Sequence, residues 1–315
     1  MKIGLMVLLA NDLETSSKRP YHAIRAIAQQ AETDGFDSIW LADHLLYRDP
    51  DQPTCGIWEC WTILAALAEA TERVEIGTLV LCNSFRNPAI LAKMATAADE
   101  VSGGRLILGL GAGWNEPEYQ AFGLPFDHRV DRLAEALQIV KPLLREGHAD
   151  FTGQYYQARN CDDIPRGPRP AGPPLMVGGE GPRMLRLAAE YADLWNTGYM
   201  GKPETMARPL ARIEAACRQV GRDPATLGIT ALIRLWLPDL PGKPRSFENP
   251  LTGTAQEIAA AMRGYAELGV KHIMFQYAPY TPEARRRLTE ALQLYRGMKQ
   301  QSGQFSSQRV QVRRP

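Results

Sequence analysis

Runs of apolar residues alternate with amphipathic stretches along nearly the whole chain. Residues 2–9 form an apolar run that begins with a single charged residue, Lys2. Residues 21–34 then place apolar side chains three and four positions apart, as in a helix that packs on a sheet. Gly35 follows at a position where many helices end. The pattern therefore predicts a strand followed by a helix, and the same unit recurs to the end of the chain.

Eight strands and eight helices are predicted in strict alternation. The strands cover residues 2–9, 38–42, 74–81, 105–110, 175–177, 194–196, 228–237 and 271–277, and the helices cover residues 21–34, 58–72, 88–101, 130–145, 182–191, 203–220, 255–268 and 282–298. Strands separated by helices run parallel, and near-continuous apolar strands are covered on both faces. The fold class is therefore α/β, and eight units favour a single closed (β/α)8 TIM barrel over residues 1–299 rather than an open doubly wound sheet.

Two stretches rich in proline and glycine interrupt this alternation. They cover residues 149–174, before strand five, and residues 238–253, after strand seven. The second insertion is expected at the C-terminal ends of the strands, where barrels place their chemistry, and both are candidate lids. Residues 300–315 are polar, and we expect a disordered tail outside the barrel.

Charge and cysteine content narrow the class of partner. The chain has 36 Lys and Arg against 35 Asp and Glu, so no field of one sign attracts nucleic acid or an anionic membrane. Five cysteines include no C-x-x-C pair and no metal-ligand spacing, which predicts reduced thiols in a cytoplasmic protein. No apolar run is long enough to span a bilayer. A small-molecule substrate is the expected partner.

The end of strand two carries the first candidate for chemistry. Strand two ends in Asp43-His44, and His44 alone among the five histidines stands at a predicted strand C-terminus. Imidazole exchanges protons near neutral pH, so His44 is a candidate proton-transfer group. A structural histidine is the alternative. A metal site that includes Asp43 is disfavoured, because the first strand supplies no H-x-H motif.

Two glycine-rich strand ends point to a ligand. Gly111-Ala112-Gly113 after strand four allows the backbone to approach a planar ligand closely, with Asn115 and Glu116 beside it. A turn followed by a helix with Asn115 as N-cap is the alternative. Trp114, which follows Gly113, is interpreted as a packing residue. Gly178-Gly179-Glu180-Gly181 after strand five exposes backbone N–H groups at a helix start, which suits a phosphate. A tight strand-to-helix loop is the alternative for this second motif.

Taken in order, these motifs resemble the luciferase-like monooxygenase superfamily, and within it the deazaflavin-dependent branch, over residues 2–298. The motifs that carry the resemblance are SIWLADH at residues 38–44, IGTLV at residues 76–80, SGGRLILGLGAGWNE at residues 102–116, PLMVGGEG at residues 174–181 and ADLWN at residues 192–196. Each is weak alone, but their order at the successive strand ends is specific.

The resemblance implies a flavin-like tricycle across the barrel mouth. Its phosphate would be held by the backbone of Gly178, Gly179, Glu180 and Gly181, and its ring would lie near Asp43, His44, Thr78, Leu79, Val80, Ala112, Gly113, Asn115 and Glu116. The resemblance also implies a cis peptide bond between Leu79 and Val80, and a homodimer formed through barrel helices.

The cofactor implied by the resemblance is coenzyme F420. Flavin-dependent luciferases more often show Glu-His-His where this chain has Asp43-His44, and a basic residue between the two glycines where it has Ala112. Deazaflavin sugar-phosphate dehydrogenases of the family place an acid where Trp114 stands, so their substrate is not carried over.

The sequence thus predicts an oxidoreductase that transfers a hydride between coenzyme F420 and a small organic substrate. His44 is predicted to transfer the proton and Glu116 to assist it. Two alternatives remain open at this point. One is an FMN-dependent monooxygenase that uses reduced flavin and O2, and the other is a flavin- or deazaflavin-binding protein without catalytic activity.

Overall fold

The computed structural model describes residues 1–11, 18–48, 53–242 and 247–311, with the side chains of the last helix described as far as Met298. The eight strands β1 to β8 are Lys2–Met6, Ser38–Leu41, Glu75–Thr78, Leu106–Gly111, Leu175–Gly178, Leu194–Met200, Gly228–Trp236 and His272–Ala278. The helices α1 to α9 are Tyr21–Asp34, Cys60–Ala70, Pro88–Val101, Glu116–Ala121, Arg129–Glu146, Pro182–Tyr191, Ala207–Gln219, Ala255–Glu267 and Pro282–Gln311.

The eight strands close into a parallel barrel. Each strand pairs in parallel with the next, and β1 pairs with β8 with Lys2 opposite His272. The predicted (β/α)8 barrel is therefore confirmed. The C-terminal ends of all eight strands meet at one mouth, which is where side chains at the strand ends can act together.

The barrel is filled by its own small core. Met6, Trp40, Leu79, Ile107, Met176, Leu232 and Met274 pack inside it, whereas the larger apolar core lies between the strands and the surrounding helices. A Cβ atom at Gly77 would lie 2.2 Å from the Trp40 ring, and one at Gly4 would lie 2.6 Å from its Nε1. Glycine on the two neighbouring strands therefore makes room for the largest side chain in the barrel.

A short series of hydrogen bonds starts from the Trp40 side chain of this core. The Trp40 indole donates to Ser38 Oγ at 2.7 Å, and the same hydroxyl lies 2.7 Å from Nε2 of His272. Burial lowers the pKa of His272 to about 3, and the positive charges of Lys2 and the N-terminus add to the shift. His272 is thus a neutral hydrogen-bonding group inside the barrel rather than a reactive one.

Several connections differ from the predicted ones. A short helix, α4, follows β4; it is not among the eight predicted helices, although Asn115 as a helix N-cap was the alternative interpretation of this stretch. The insertion before β5 holds an antiparallel hairpin of His148–Thr152 and Gln157–Asp162. Helix α9 continues to Gln311, past the predicted end at residue 298, while disorder of the tail stays a prediction. All five cysteines are free thiols. In the ranges that the structure describes, no helix is both long and apolar enough to cross a membrane.

Candidate active site

A cavity of about 540 Å³ opens at the C-terminal ends of the strands. Its size is that of a site for a cofactor or a small molecule. Of the residues predicted to bind cofactor or to catalyse, nine line this cavity: Asp43, His44, Leu79, Val80, Ala112, Gly113, Gly178, Gly179 and Glu180. Residues from the ends of strands two, three, four and five thus meet at one place, as the barrel topology requires.

His44 is held by a buried carboxylate. Its Nδ1 lies 3.0 Å from Oε1 of Glu118, whose side chain is only 2% exposed, and the backbone N–H of Leu45 donates to Oε2 at 2.9 Å. A carboxylate oxygen accepts hydrogen bonds, so Nδ1 is the donor to Glu118 and Nε2 is the ring nitrogen left for a ligand. Nε2 has no hydrogen-bond partner among the described residues. The arrangement can take up or release a proton at the cavity.

The predicted helper, Glu116, does not occupy this position. Glu116 is exposed at the start of α4, and its carboxylate accepts from the Gln120 side chain at 3.3 Å. Asn115 is the N-cap residue of α4, but its amide donates to the Leu46 carbonyl at 2.9 Å and makes no capping bond. Neither residue lines the cavity, because the helix turns Glu118 inward instead.

Aromatic rings surround the His44 imidazole. The ring centroid of Tyr47 is 4.6 Å away and that of Trp114 is 5.4 Å away, and both residues line the cavity. Trp114 is 59% exposed, so the interpretation of it as a packing residue is wrong. Its ring stacks on that of Tyr47, with centroids 6.4 Å apart, and the exposed remainder can contact a ligand.

Asp43 is occupied by protein contacts. Both of its carboxylate oxygens accept from Arg86, at 2.7 and 3.1 Å, and Oδ2 also accepts from the backbone N–H of Cys82 at 2.9 Å. Burial raises the pKa of Asp43, while the guanidinium opposes the shift. Arg86 also pairs with Glu59, the N-cap residue of α2. Asp43 therefore joins the surrounding loops while it lines the cavity, and its part in cofactor binding stays a prediction.

The ends of strands three and four form an apolar wall. The Leu79–Val80 peptide bond is cis, as the resemblance implies. A Cβ at Gly111 would lie 2.6 Å from a methyl group of Val80, and one at Gly178 would lie 3.0 Å from the other. Thr78 is buried outside the cavity lining, where its hydroxyl exchanges 2.9 Å hydrogen bonds with the backbone of Gly109. Thr78 therefore locks two strands together and does not face the ligand space.

The glycine-rich loop leads into α6. Gly179 has φ of +139°, and a Cβ there would lie 3.2 Å from Met184; Gly181 is the N-cap residue of α6 with an ordinary φ of −63°. The Gly179 N–H donates to the Asn196 carbonyl at 3.2 Å, and the Glu180 carboxylate accepts from Thr197. The free donors for an anion are therefore expected at the start of α6 rather than at Gly179 itself.

Residues that the sequence reasoning missed come from the ends of the remaining strands. Met6, Tyr199, Met200, Leu232 and Gln276 line the cavity, together with Tyr47, Trp114 and Glu118. The alternation of side chains along β7 and β8 could have indicated Leu232 and Gln276, since every second residue of a barrel strand faces the interior. Glu118 had a weaker signal, a proline at the start of an unrecognised helix.

Comparison with known proteins places this chain in a family. The profile of the luciferase-like monooxygenases matches residues 1–239. Relatives include an F420-dependent glucose-6-phosphate dehydrogenase of Kineococcus radiotolerans, 30% identical with 82% of this chain and 87% of that protein covered. An F420-dependent hydroxymycolic acid dehydrogenase of Mycobacterium tuberculosis is 34% identical, with coverage of 71% and 60%.

A monooxygenase is among the relatives at similar identity. Pyrimidine monooxygenase RutA of Allorhizobium ampelinum is 31% identical over 70% of this chain, and the match spans 62% of that protein's length. The solved structure of an F420-dependent secondary alcohol dehydrogenase with an F420-acetone adduct superposes with a TM-score of 0.77 at 21% identity, covering 93% of this chain and 98% of that one. The chain belongs to the luciferase-like monooxygenase family.

Proposed function

We propose that this protein is a deazaflavin-dependent oxidoreductase that transfers a hydride between coenzyme F420 and a small organic substrate. The observation that carries the proposal is the pair formed by His44 and Glu118 at the cavity. Oxidation of an alcohol or reduction of a carbonyl requires a positioned group that exchanges a proton with the substrate oxygen. His44 meets that requirement through Nε2.

The cavity suits a tricyclic cofactor. Its apolar wall is built from Leu79 and Val80, and the Cβ positions of Gly111 and Gly178 would fill the space against Val80. Glycine at both positions keeps this slot open for a flat ring, and the start of α6 would hold the phosphate. When bound, F420 supplies the hydride acceptor or donor, which no side chain can supply.

The chain's own share of the reaction is proton transfer and positioning. A substrate alcohol would give its hydroxyl proton to Nε2 of His44 as its carbon gives up a hydride, and the reverse reaction returns that proton. Glu118 holds the ring by Nδ1 and stabilises the imidazolium through its negative charge, since the two groups are 3.0 Å apart. Tyr47 and Trp114 limit access of water to this proton.

The choice of F420 rests on two kinds of support. Two relatives bear names of F420-dependent dehydrogenases. The sequence also has Asp43-His44 and Ala112 at positions where flavin-dependent luciferases more often differ. The RutA relatives, at similar identity, favour the alternative of an FMN-dependent monooxygenase. The buried carboxylate on His44 favours the dehydrogenase, because a dedicated proton acceptor is what alcohol oxidation needs.

A side-by-side titration of the purified protein with F420 and with FMN tests the proposal. We expect tight binding of F420, much weaker binding of FMN, and reduction of bound F420 by members of a panel of small alcohols. Preferential binding of FMN with consumption of O2 would establish the monooxygenase instead. Binding of either cofactor without turnover of any donor or acceptor would favour a carrier protein.

A further inference from the structure

A cationic side chain that the proposed reaction does not use lies at the opposite side of the mouth. Along β7, Thr230 and Leu232 face the barrel interior, and Arg234 is the next residue on the same face. Its register partner on β8 is Gln276, which lines the cavity. Arg234 therefore stands one layer above the cavity floor, at the C-terminal ends of two neighbouring strands.

Two aromatic rings hold the guanidinium of Arg234. Its Cζ lies 3.7 Å from the centroid of Tyr199 and 5.2 Å from that of Phe247. Tyr199 reaches this position because β6 has an irregular register near its end, where Tyr199 adopts φ of +63°. Stacking orients the plane of the guanidinium and leaves its edge, which carries the N–H donors, for another partner.

One donor of Arg234 lacks an acceptor. Its Nε is buried with no hydrogen-bond partner in the described part of the chain, and the side chains that act on the guanidinium are the Tyr199 hydroxyl, by a hydrogen bond, and Glu248, by a longer-range charge interaction. Arg105 shows the contrast, because its guanidinium donates to four backbone carbonyls and a hydroxyl. A partly buried cation without such acceptors binds an anion favourably.

We propose that Arg234 is an anion-binding residue of the substrate site, so that the substrate carries a carboxylate or phosphate group. The proposal rests on the proposed function for the identity of the site. Arg234 is on strand seven and His44 follows strand two, so a substrate between them presents its reacting carbon to His44 and its anionic end to Arg234 and Gln276. Arg234 does not itself line the cavity, whereas Tyr199, which stacks on its guanidinium, does. Tyr199 is 52% exposed, so it can move aside at little cost in packing.

Titration calorimetry with inorganic phosphate and with acetate tests this role. The protein is first saturated with the cofactor that it binds, so that the cofactor phosphate already occupies the glycine-rich loop and the added anions cannot bind there. We expect Arg234→Gln to weaken binding of these probes by about 10- to 100-fold. Arg234→Lys keeps the charge and should retain part of the affinity. Arg263→Gln removes an exposed arginine on α8 with the same change in charge and should bind as the unaltered protein does.

Two results would overturn the proposal. One is that the unaltered protein and the folded Arg234→Gln variant bind these anions with the same affinity, or that neither protein binds them. The other is a loss of F420 affinity in Arg234→Gln with anion binding intact, which would assign Arg234 to the coenzyme. A protein that binds neither F420 nor FMN would end the proposed function, and the comparison of anion affinity would still decide the role of Arg234.

Discussion

Nδ1 of His44 lies 3.0 Å from a carboxylate oxygen of Glu118, a residue 74 positions further along the chain. The two residues belong to different βα units, one after β2 and the other in α4 after β4. Their contact therefore exists only in the closed barrel. It fixes the tautomer of the imidazole and leaves the other nitrogen for the substrate proton.

Replacement of His44 by alanine should remove most of the turnover. We expect a loss of about 10²- to 10⁴-fold, the usual contribution of a positioned acid or base, with F420 affinity kept within a few-fold. Single-turnover hydride transfer and melting temperature are measured on the same sample. His128→Ala, at an exposed position, is the control. A His44→Ala protein that is destabilised yet fully active would show that the histidine is structural.

Glu118 and Glu116 offer a matched pair for the helper role. Glu118→Gln removes the charge beside His44, and we expect at least a roughly 10-fold loss of turnover because the imidazolium is no longer stabilised. Glu116→Gln removes the same charge from an exposed position two residues away and should leave turnover unchanged. The pH dependence of turnover should change only in Glu118→Gln. Equal effects of the two substitutions would argue against the pairing.

The glycine-rich loop can be probed with a single added methyl group. Gly179→Ala places it at a φ of +139° against Met184, so we expect the loop to shift and F420 affinity to fall by about 10-fold or more. Gly181→Ala adds the same methyl at ordinary φ with no heavy atom within 4 Å, and should bind within a few-fold of the unaltered protein. Fluorescence titration of F420 measures both. Unchanged affinity in a folded Gly179→Ala protein would make this a simple connecting loop.

His272 should make stability depend on pH. Its pKa of about 3 in the folded barrel is below the ordinary value of 6.5, so the unfolded chain binds a proton that the folded one does not. The free energy of unfolding should therefore fall as pH drops from about 6.5 towards 3, by up to about 1.4 kcal/mol per pH unit from this group.

His272→Gln isolates that contribution. Glutamine can still donate to Ser38 Oγ but does not titrate, so urea unfolding between pH 7 and pH 4 should show a shallower loss of stability than in the unaltered protein. His148→Gln, at an exposed position, should keep the original slope. Parallel slopes in all three proteins would mean that His272 is not held neutral by burial.

The barrel was predictable because its strands are buried on both faces and its helices on one. These two patterns differ in period, so the alternation shows in the sequence even where strand ends are uncertain by several residues. The hairpin in residues 148–162 escaped notice because both of its strands are largely exposed and polar. No apolar period marks strands of that kind.

The site was predictable at strand ends with distinctive residues and not elsewhere. His44 and the glycines stand out by type, whereas Glu118 depends on a six-residue helix that is too short to show a period. Trp114 was misread because aromatic residues are usually buried, and only the tertiary structure shows it at the cavity. Thr78 belongs to the motif, but its side chain faces a neighbouring strand and not the cavity. Which way a side chain at a strand end points depends on the local backbone, which the sequence does not show.

The contacts of Asp43 make one edge of the barrel mouth stiffer than the edge across from it. Arg86 ties Asp43 and Glu59 together, so the segments after β2 and β3 and the start of α2 behave as one stiff rim. Across the opening, Tyr199 is the penultimate residue of β6, whose register is irregular, and it is half-exposed. We therefore expect ligand exchange to deform the strand-six edge while the rim beside His44 stays fixed, so that the proton-transfer geometry survives each cycle of entry and release.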